Sequence, residues 1–347
     1  MKARAYLGSQ WYNNILLHAC AQNSIEFTTE INCDFVFLDN MFWVNKRRVD
    51  GDSAMHDLAR QISLNFQIPI IAIDHCDVPL PKYSNRDIEN FDLVLKAQCL
   101  PRDRELLNWE IGVRYGLNRS KKIKKVPDDQ LLSAESIEKH KLSFDLGLFR
   151  AFNLQGPEPP LPSWNDSDDA FFVGSFNSLN RLNGLKILKN NFKTTGWLTK
   201  LDPTHPIVGV KKGSEPMESA RLIKSNSEFF GGRIDPLEFM NKMRGAKACF
   251  AFSGIGELGE RHYQAFEINR LLVCEDLDYL ETIFPFKDGV NYIKVEETLG
   301  DLSQKMEDIV AHENQYLSVS QKGSDDYFSL YSNPAPLIKK YFLDYIL

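Results

Sequence analysis

The sequence predicts an α/β fold with two Rossmann-like, doubly wound domains that face each other across a cleft. Short apolar runs alternate with longer helix-compatible segments, which is the pattern of parallel α/β architecture. The length of 347 residues suits two domains of ordinary size. Near the middle, residues 155–162 contain four prolines and precede a polar run, which is typical of a linker between domains.

We therefore predict an N-terminal domain over residues 1–155, a linker over 156–169, a C-terminal domain over 170–332 and an amphipathic helix within 333–347. In the first domain, apolar runs rich in β-branched and aromatic residues predict strands, and the segments between them predict helices. The strands are 3–7, 35–38, 68–73 and 92–95, and the helices are 14–22 and 53–64.

The second domain repeats this alternation, although residues 198–227 show no clear pattern. Strands are predicted at 170–174, 193–197, 228–230, 248–252, 271–274 and 291–294. Helices are predicted at 181–189, 236–244, 260–269, 301–312 and 337–347.

Charge and composition exclude several classes of protein. Lys and Arg number 41 against 47 Asp and Glu, a net charge of −6, so the chain lacks the basic surplus of a nucleic-acid binder. Its apolar runs are far shorter than the roughly 20 residues that span a bilayer. Its first residues lack the apolar core of a secretory signal, and its six cysteines are scattered without a CxxC pair. We expect a cytoplasmic protein without disulfides.

The stretch from Ala248 to Tyr263 carries the most chemical information. An apolar strand runs into a glycine-rich turn, and the turn runs into a helix. Glycines let a backbone approach a ligand closely, and the N–H groups of a first helical turn attract phosphate. Arg261 and His262 fall in that turn, where a cation is unfavourable unless it faces an anion. The motif predicts a phosphate-binding site.

The same glycines permit another interpretation. Gly254, Gly256 and Gly259 match the dinucleotide fingerprint, and Glu275 follows Gly259 by 16 residues at the end of the next strand. This alternative predicts an NAD(P)- or FAD-dependent oxidoreductase. The fingerprint ordinarily opens a nucleotide-binding domain, however, and here about three strands of the domain precede it. A second alternative is a non-catalytic two-domain module that closes on a ligand.

A longer pattern runs through the second domain. It consists of a glycine-rich turn, an Arg-x-Tyr-x-Ala segment, an apolar strand and a Leu-x-x-x-Phe segment followed by Gly, at residues 254–257, 261–265, 271–273, 280–284 and 289. This order resembles the C-terminal half of GT-B glycosyltransferases of the group 1 and exostosin-like set. The resemblance implies a GT-B fold and the transfer of a sugar from a nucleotide-sugar to a glycan or glycolipid acceptor, as in polysaccharide biosynthesis. It also implies that no metal or other cofactor is required, and that the C-terminal helix packs back towards the N-terminal domain.

The resemblance further implies that the C-terminal domain holds the donor. Arg261 is then expected to stabilise the leaving diphosphate, because its charge faces the negative charge that develops there. The family often has Glu at the position of Gln264, so either Gln264 or Glu267 is expected to contact the donor ribose. The predicted donor-binding residues are Ser253, Gly254, Gly256, Glu257, Arg261, His262, Tyr263, Gln264, Glu267, Arg181 and Lys96.

The N-terminal domain is implied to present the acceptor. Either Asp77 or His75 is predicted as the base that takes the proton of the acceptor hydroxyl. Both residues follow a predicted strand. The predicted acceptor-binding residues are Gly8, Gln10, Trp11, Tyr12 and Asp39. The basic run from Arg119 to Lys125 predicts a peripheral contact with an anionic membrane.

Two acidic pairs match the DxD spacing of metal-dependent transferases. Asp276 and Asp278 follow the strand after the glycine-rich motif, and Asp166 and Asp168 lie in the predicted linker. Because such short pairs often arise by chance and neither has the expected context, no metal site is predicted.

Overall fold

The structure is a computed structural model that describes most of the chain. It describes residues 1–6, 24–30, 32–39, 51–74, 88–96, 133–142, 163–201, 207, 215–253, 258–277, 280–331, 334–341 and 343–345. Within these residues the chain forms two sheets of six strands, and every pair of neighbouring strands is parallel. Helices connect the strands of both sheets. The predicted fold class is confirmed.

The first sheet has the strand order β2-β1-β3-β4-β5-β6. Its elements are β1 (Lys2–Tyr6), β2 (Glu26–Phe27), β3 (Phe35–Asp39), α1 (Gly51–Phe66), β4 (Ile70–Asp74), β5 (Leu93–Lys96), α2 (Ala134–Lys139) and β6 (His140–Leu142). In the central strand β3, Val36, Phe37 and Leu38 are all fully buried. A parallel strand covered on both faces has this continuous apolar sequence.

The second sheet has the strand order β12-β11-β10-β7-β8-β9. Its first elements are β7 (Asp168–Ser175), α3 (Leu179–Asn191), β8 (Thr194–Thr199), α4 (Glu215–Ser225), β9 (Phe230–Gly231) and α5 (Pro236–Arg244). Then follow β10 (Ala246–Phe250), α6 (Glu260–Glu267), β11 (Leu271–Glu275), β12 (Ile293–Val295), α7 (Leu302–Ala311), α8 (Glu313–Tyr331) and α9 (Pro334–Tyr341). Short 3₁₀ helices occur at Ser227–Phe229 and Leu343–Tyr345.

The order of the second sheet reverses between β7 and β10. From β7 the chain moves outward through β8 to β9, and it then returns to the other side of β7 to form β10, β11 and β12. In open parallel sheets, ligands bind at the carboxyl ends of the strands where the order reverses. This topology marks the ends of β7 and β10 as the place to look for a site.

Local sequence explains where the neighbouring helices begin. Ser178 precedes α3, and its hydroxyl accepts from the N–H of Arg181 at 3.2 Å, which caps the helix. Asp235 precedes α5 and accepts from the N–H of Leu237 at 2.8 Å, and Pro236 occupies the first helical position. These caps fix the ends of the turns that leave β7 and β9.

Helix α8 was not predicted, and its buried face explains why. That face includes Ser320, Gly323 and Ser324, which give no apolar periodicity. A Cβ added at Gly323 would lie 2.7 Å from both the Phe266 ring and the carbonyl oxygen of Asn291. The helix therefore packs through small residues that let α6 approach closely.

The predicted strand 228–230 is wrong over most of its length. Ser227–Phe229 forms a 3₁₀ helix, and the strand is only Phe230–Gly231. At the end of the predicted linker, Asp168 and Asp169 already belong to β7. Their carboxylates pair with Lys193 at 2.9 Å and Lys247 at 2.7 Å, which explains how an acidic pair begins a buried strand.

The C-terminal helix begins at Pro334 and ends at Tyr341, earlier than predicted. Leu337, Tyr341 and Tyr345 are partly buried against an apolar cluster that contains residues of both sheets. The packing of this segment towards the N-terminal domain stays a prediction. Over the described residues, none of the helices has both the length and the apolar character needed to cross a membrane.

Candidate functional site

Arg261 lies at the point where the strand order reverses. It is the second residue of α6, which follows β10, and its guanidinium lies over the ring of Phe172 in β7, 5.6 Å from the ring centroid. A Cβ added at Gly174 would lie 3.0 Å from Nη1 of Arg261, so the absence of a side chain at Gly174 leaves room for the guanidinium. The side chain thus crosses from the β10 connection to the end of β7.

The electrostatic state of Arg261 is unusual. Its Nε is enclosed by protein and has no hydrogen-bond partner among the described residues. Burial lowers the pKa of Arg261 to about 10, and the nearby charge of Glu260 raises it only in part. The side chain is therefore still a cation at neutral pH. An enclosed cation with an unused donor is unfavourable unless an anion joins it.

A network of hydrogen bonds fixes the chain just before the glycine-rich motif. The carboxylate of Glu275, at the end of β11, accepts from the Ser253 N–H at 3.0 and 3.2 Å and from the Ser253 hydroxyl at 2.8 Å. The Ser253 carbonyl accepts from the hydroxyl of Ser178 at 2.8 Å, and the Phe252 carbonyl accepts from Nε of Arg181 at 3.0 Å. Hydrogen bonds from the β7–α3 connection and from the end of β11 thus fix the chain that follows β10.

Arg181, a predicted donor-binding residue, is used within the protein. Besides its bond to Phe252, it donates from Nη1 to the carbonyl of Ser175 at 3.1 Å. Both contacts are to carbonyl groups near strand ends, and the Ser175 carbonyl also accepts from the N–H of Asn177 at 3.0 Å. Arg181 thus links the ends of β7 and β10 through its hydrogen bonds. Its contact with a donor stays a prediction.

His262 shapes the start of α6. The residue is 4% exposed, and Nδ1 of its ring accepts from the N–H of Gly259 at 3.1 Å. Nδ1 also lies 3.0 Å from the Gly259 carbonyl oxygen. When Nδ1 accepts from the N–H, the ring proton of a neutral His262 sits on Nε2. The ring therefore caps the helix, and its predicted donor contact is untested.

The other predicted donor residues of α6 differ in position. Tyr263 is 1% exposed and packs against Phe284 and Phe286, so the geometry gives no support to a donor contact. Gln264 is half-buried on the next turn. Glu267 ends the helix, about 10 Å along the axis from its start. Its charge acts on Tyr327, whose pKa is raised by burial first and by Glu267 second.

The position of Glu275 bears on the dinucleotide interpretation. That fingerprint would use an acidic side chain at this strand end to bind a ribose hydroxyl. Here Glu275 is 2% exposed, and its carboxylate holds Ser253. The residue is therefore already engaged inside the protein, which disfavours the oxidoreductase alternative.

Many predicted residues lie outside the described part of the chain. These are Gly8, Gln10, Trp11, Tyr12, His75, Asp77, Gly254, Gly256 and Glu257, as well as the basic run from Arg119 to Lys125. Asp39 and Lys96 are described by their backbone alone and end β3 and β5, on either side of β4 in the first sheet. The roles predicted for all of them stay predictions.

The acidic pairs make contacts of other kinds. Asp276 lies 3.6 Å from Lys294, and Asp168 accepts from Thr195 at 2.5 Å. Among the described residues there is no group of three or more His, Cys, Asp or Glu side chains that could hold a metal ion. The roles of Gly174 and Ser178 and the contact between Glu275 and Ser253 could not be predicted from the sequence, because they depend on strand order and register.

The chain is similar to several proteins of known three-dimensional structure. No protein-family model matches the chain, and no curated protein matches it in sequence. HepE from Anabaena, solved with UDP-glucose, is similar with a TM-score of 0.50 at 10% identity, over 99% of each chain. A glycosyltransferase from Rickettsia africae has a TM-score of 0.51 at 9% identity, over 99% of this chain and 97% of that one.

TarM is similar with a TM-score of 0.52 at 10% identity, over 90% of this chain. This chain spans about half of TarM, since the match covers 54% of that protein. The chain has the GT-B fold. The fold implied by the resemblance of the sequence is therefore confirmed, and the likeness extends over nearly the whole chain rather than its second half alone.

Proposed function

We propose that this GT-B protein is a glycosyltransferase that moves a sugar from a nucleotide-sugar to a glycan or glycolipid acceptor. The observation that carries the proposal is Arg261, a half-buried cation at the point where the strand order reverses, whose Nε has no hydrogen-bond partner among the described residues. A diphosphate supplies both the charge and the acceptor oxygens that this side chain lacks. HepE, which has the same fold, was solved with UDP-glucose.

A second enclosed atom at the carboxyl edge of the second sheet supports the proposal of a polar ligand. Oδ1 of Asn177, in the turn between β7 and α3, is enclosed and has no hydrogen-bond partner among the described residues. A sugar or ribose hydroxyl would donate to it, whereas a diphosphate would accept from Arg261. One ligand with both groups, such as a nucleotide-sugar, satisfies a donor and an acceptor together.

The proposed reaction balances without an added redox partner. The acceptor oxygen forms a bond to the anomeric carbon of the sugar, and the bond from that carbon to the diphosphate breaks. The electron pair leaves with the diphosphate, where Arg261 stabilises the charge. The proton of the acceptor hydroxyl passes to a base, for which Asp77 and His75 are the candidates from the sequence.

The first experiment measures thermal unfolding with UDP, GDP, dTDP, CMP, NAD and NADP, each at millimolar concentration. A ligand present at about 100 times its Kd stabilises the folded state by about 2.7 kcal/mol, a shift of several degrees. We expect one nucleoside mono- or diphosphate to give this shift, and its base identifies the donor. Stabilisation by NAD or NADP alone would overturn the proposal in favour of the oxidoreductase.

Turnover separates the enzyme from the non-catalytic binding module. The nucleotide-sugar with the base found in the first experiment is incubated with the protein without acceptor, and released nucleotide is measured. A transferase hydrolyses its donor slowly under these conditions, whereas a binder releases none. The same assay with EDTA tests the proposed independence of metal, for which we expect an unchanged rate.

A further inference from the structure

Ser253 is held by a side chain at the point where the sheet ends. The ladder between β10 and β11 continues up to Ala251, whose N–H donates to the carbonyl of Val273 at 3.0 Å. Two residues later, the Ser253 N–H donates to the carboxylate of Glu275 instead of to a backbone carbonyl. Ser253 immediately precedes Gly254, the first glycine of the predicted phosphate-binding motif. Glu275 thus acts on the last residue before that motif.

The hydrogen bonds between Ser253 and Glu275 are strong because their acceptor is a buried carboxylate. Both oxygens of Glu275 lie within 3.2 Å of the Ser253 nitrogen, and Oε1 also accepts from the hydroxyl at 2.8 Å. Hydrogen bonds to a carboxylate are about twice as strong as those between neutral groups. Glu275 is 2% exposed, so water does not compete effectively for these bonds. Ser253 itself is 7% exposed.

The same residue is held from the opposite side. Its carbonyl accepts from Ser178, and the carbonyl before it accepts from Arg181. Ser178 and Arg181 belong to the β7–α3 connection, whereas Glu275 belongs to β11. The N–H of Ser253 is thus fixed by the end of β11, and its C=O is fixed by the β7–α3 connection.

We infer that Glu275 is a positioning residue for the nucleotide: it fixes the backbone and hydroxyl of Ser253, the last described residue before the glycine-rich motif of the sequence. This inference rests on the proposed function. Glu275 acts through Ser253 and is not itself a ligand, since a carboxylate beside a diphosphate would repel it. Misplacement of a binding group by about 1 Å is enough to weaken a preorganised site severely.

The sign of one substitution separates positioning from simple electrostatics. Glu275→Gln keeps the shape of the side chain and removes its negative charge. If Glu275 acted only through its field, this change would strengthen the binding of an anionic nucleotide. If Glu275 positions Ser253, the change weakens binding, because a neutral amide oxygen replaces the carboxylate that accepts from both Ser253 groups.

The experiment measures the Kd of the nucleotide found in the thermal panel by titration calorimetry. We expect Glu275→Gln to raise Kd at least tenfold. The matched control is Asp276→Asn, which removes the same charge one residue away, where Asp276 pairs with Lys294 at 3.6 Å. We expect the control to leave Kd unchanged or to lower it. Ser253→Ala removes only the hydroxyl contact, and we expect a rise of about threefold.

The double variant Glu275→Gln/Ser253→Ala tests whether the two residues act as one unit. We expect a Kd close to that of Glu275→Gln alone, because the hydroxyl contact is already weakened. Equal Kd values for wild type and Glu275→Gln overturn the inference, even if the variant unfolds at a lower temperature. If Glu275→Gln does not fold, an unchanged Kd in Ser253→Ala overturns it. If the wild type binds no nucleotide of the panel, the proposed function itself fails.

Discussion

Two connections at the carboxyl edge of the second sheet use an arginine in opposite ways. The β7–α3 connection has Arg181 in the first turn of its helix, and the β10–α6 connection has Arg261 in the first turn of its own. Arg181 donates to two backbone carbonyls, at 3.0 and 3.1 Å. Nε of Arg261 has no such partner among the residues that the structure describes.

The difference separates a cation that is engaged within the protein from one that we propose is available for a ligand. A positive charge near a helix N-terminus opposes the helix dipole, so each arginine requires a compensating partner. For Arg181 the compensation lies inside the protein, in the carbonyls of Ser175 and Phe252. For Arg261 the described residues supply the ring of Phe172 and the charge of Glu260, and we propose that a bound anion completes the compensation. Sequence position alone would have given the two residues the same role.

The largest effect is expected for Arg181→Met. This change removes two hydrogen bonds from a charged donor to strand-end carbonyls, so we expect the free energy of unfolding to fall by about 2–3 kcal/mol. Urea unfolding of the protein without ligand measures this. The control is Arg221→Met on α4, an exposed arginine that contacts Glu218 at 3.0 Å, which should leave the urea midpoint unchanged. An equal midpoint for Arg181→Met and wild type would contradict the structural role.

The next effect concerns Arg261→Met. We expect the Kd of the nucleotide to rise at least tenfold, which corresponds to about 1.4 kcal/mol, because the charge-assisted contact with phosphate is lost. The free energy of unfolding without ligand should stay the same or increase, since a half-buried cation whose Nε is enclosed is replaced by an apolar chain of similar length. Calorimetry and urea unfolding measure the two quantities.

The pair of variants tests the comparison directly. Arg181→Met should act mainly on stability, and Arg261→Met mainly on affinity. If Arg261→Met destabilises the protein and leaves Kd unchanged, both arginines are structural and the proposed diphosphate site is lost. Arg221→Met again serves as the control, because it removes one positive charge elsewhere in the same domain.

Much of the fold could be predicted from local sequence. All ten predicted strands lie within two residues of the observed ones at both ends, since apolar β-rich runs are a local property. The poorest agreement is at Phe230, because two of the three predicted strand residues form a 3₁₀ helix there. The most extensive omission is helix α8, whose buried face includes Ser320, Gly323 and Ser324. Small and polar residues become a packing face only where a partner helix approaches, which periodicity does not reveal.

The site could be predicted only in part. The glycine-rich motif led to Arg261, because a cation in a first helical turn is a local signal. The different role of Arg181 required the neighbouring strand ends, and the contact between Glu275 and Ser253 required the register of β10 with β11. Tyr263 was assigned to the donor by its place in the motif, although its side chain faces the core. Contacts between residues that topology brings together were therefore the part of the site that sequence reasoning could not predict.

The smallest expected effect is the dependence of nucleotide affinity on pH, which tests the charge of Arg261. Burial lowers the pKa of Arg261 to about 10. Because an anion binds only the protonated side chain, nucleotide affinity should fall as the pH rises through that value. At a pH equal to the pKa half of the side chains are neutral, so Kd should be about twofold higher, or about 0.4 kcal/mol. The free energy of unfolding without ligand changes in the other direction. The pKa of Arg261 is lower in the folded state than in the unfolded state, so the cation destabilises the folded protein. This destabilisation is complete below about pH 10 and declines as the pH rises above that value.

The measurement is Kd between about pH 8 and about pH 10 for wild type and Arg261→Met, reported as the ratio of the two. Titration of the nucleotide itself affects both proteins equally and cancels in the ratio. The affinity advantage of wild type should shrink towards pH 10, because only wild type has the cation that titrates there. A constant ratio over this range would mean that the charge of Arg261 does not face the bound anion. The difference between the two arginines would then be one of packing and not of ligand binding.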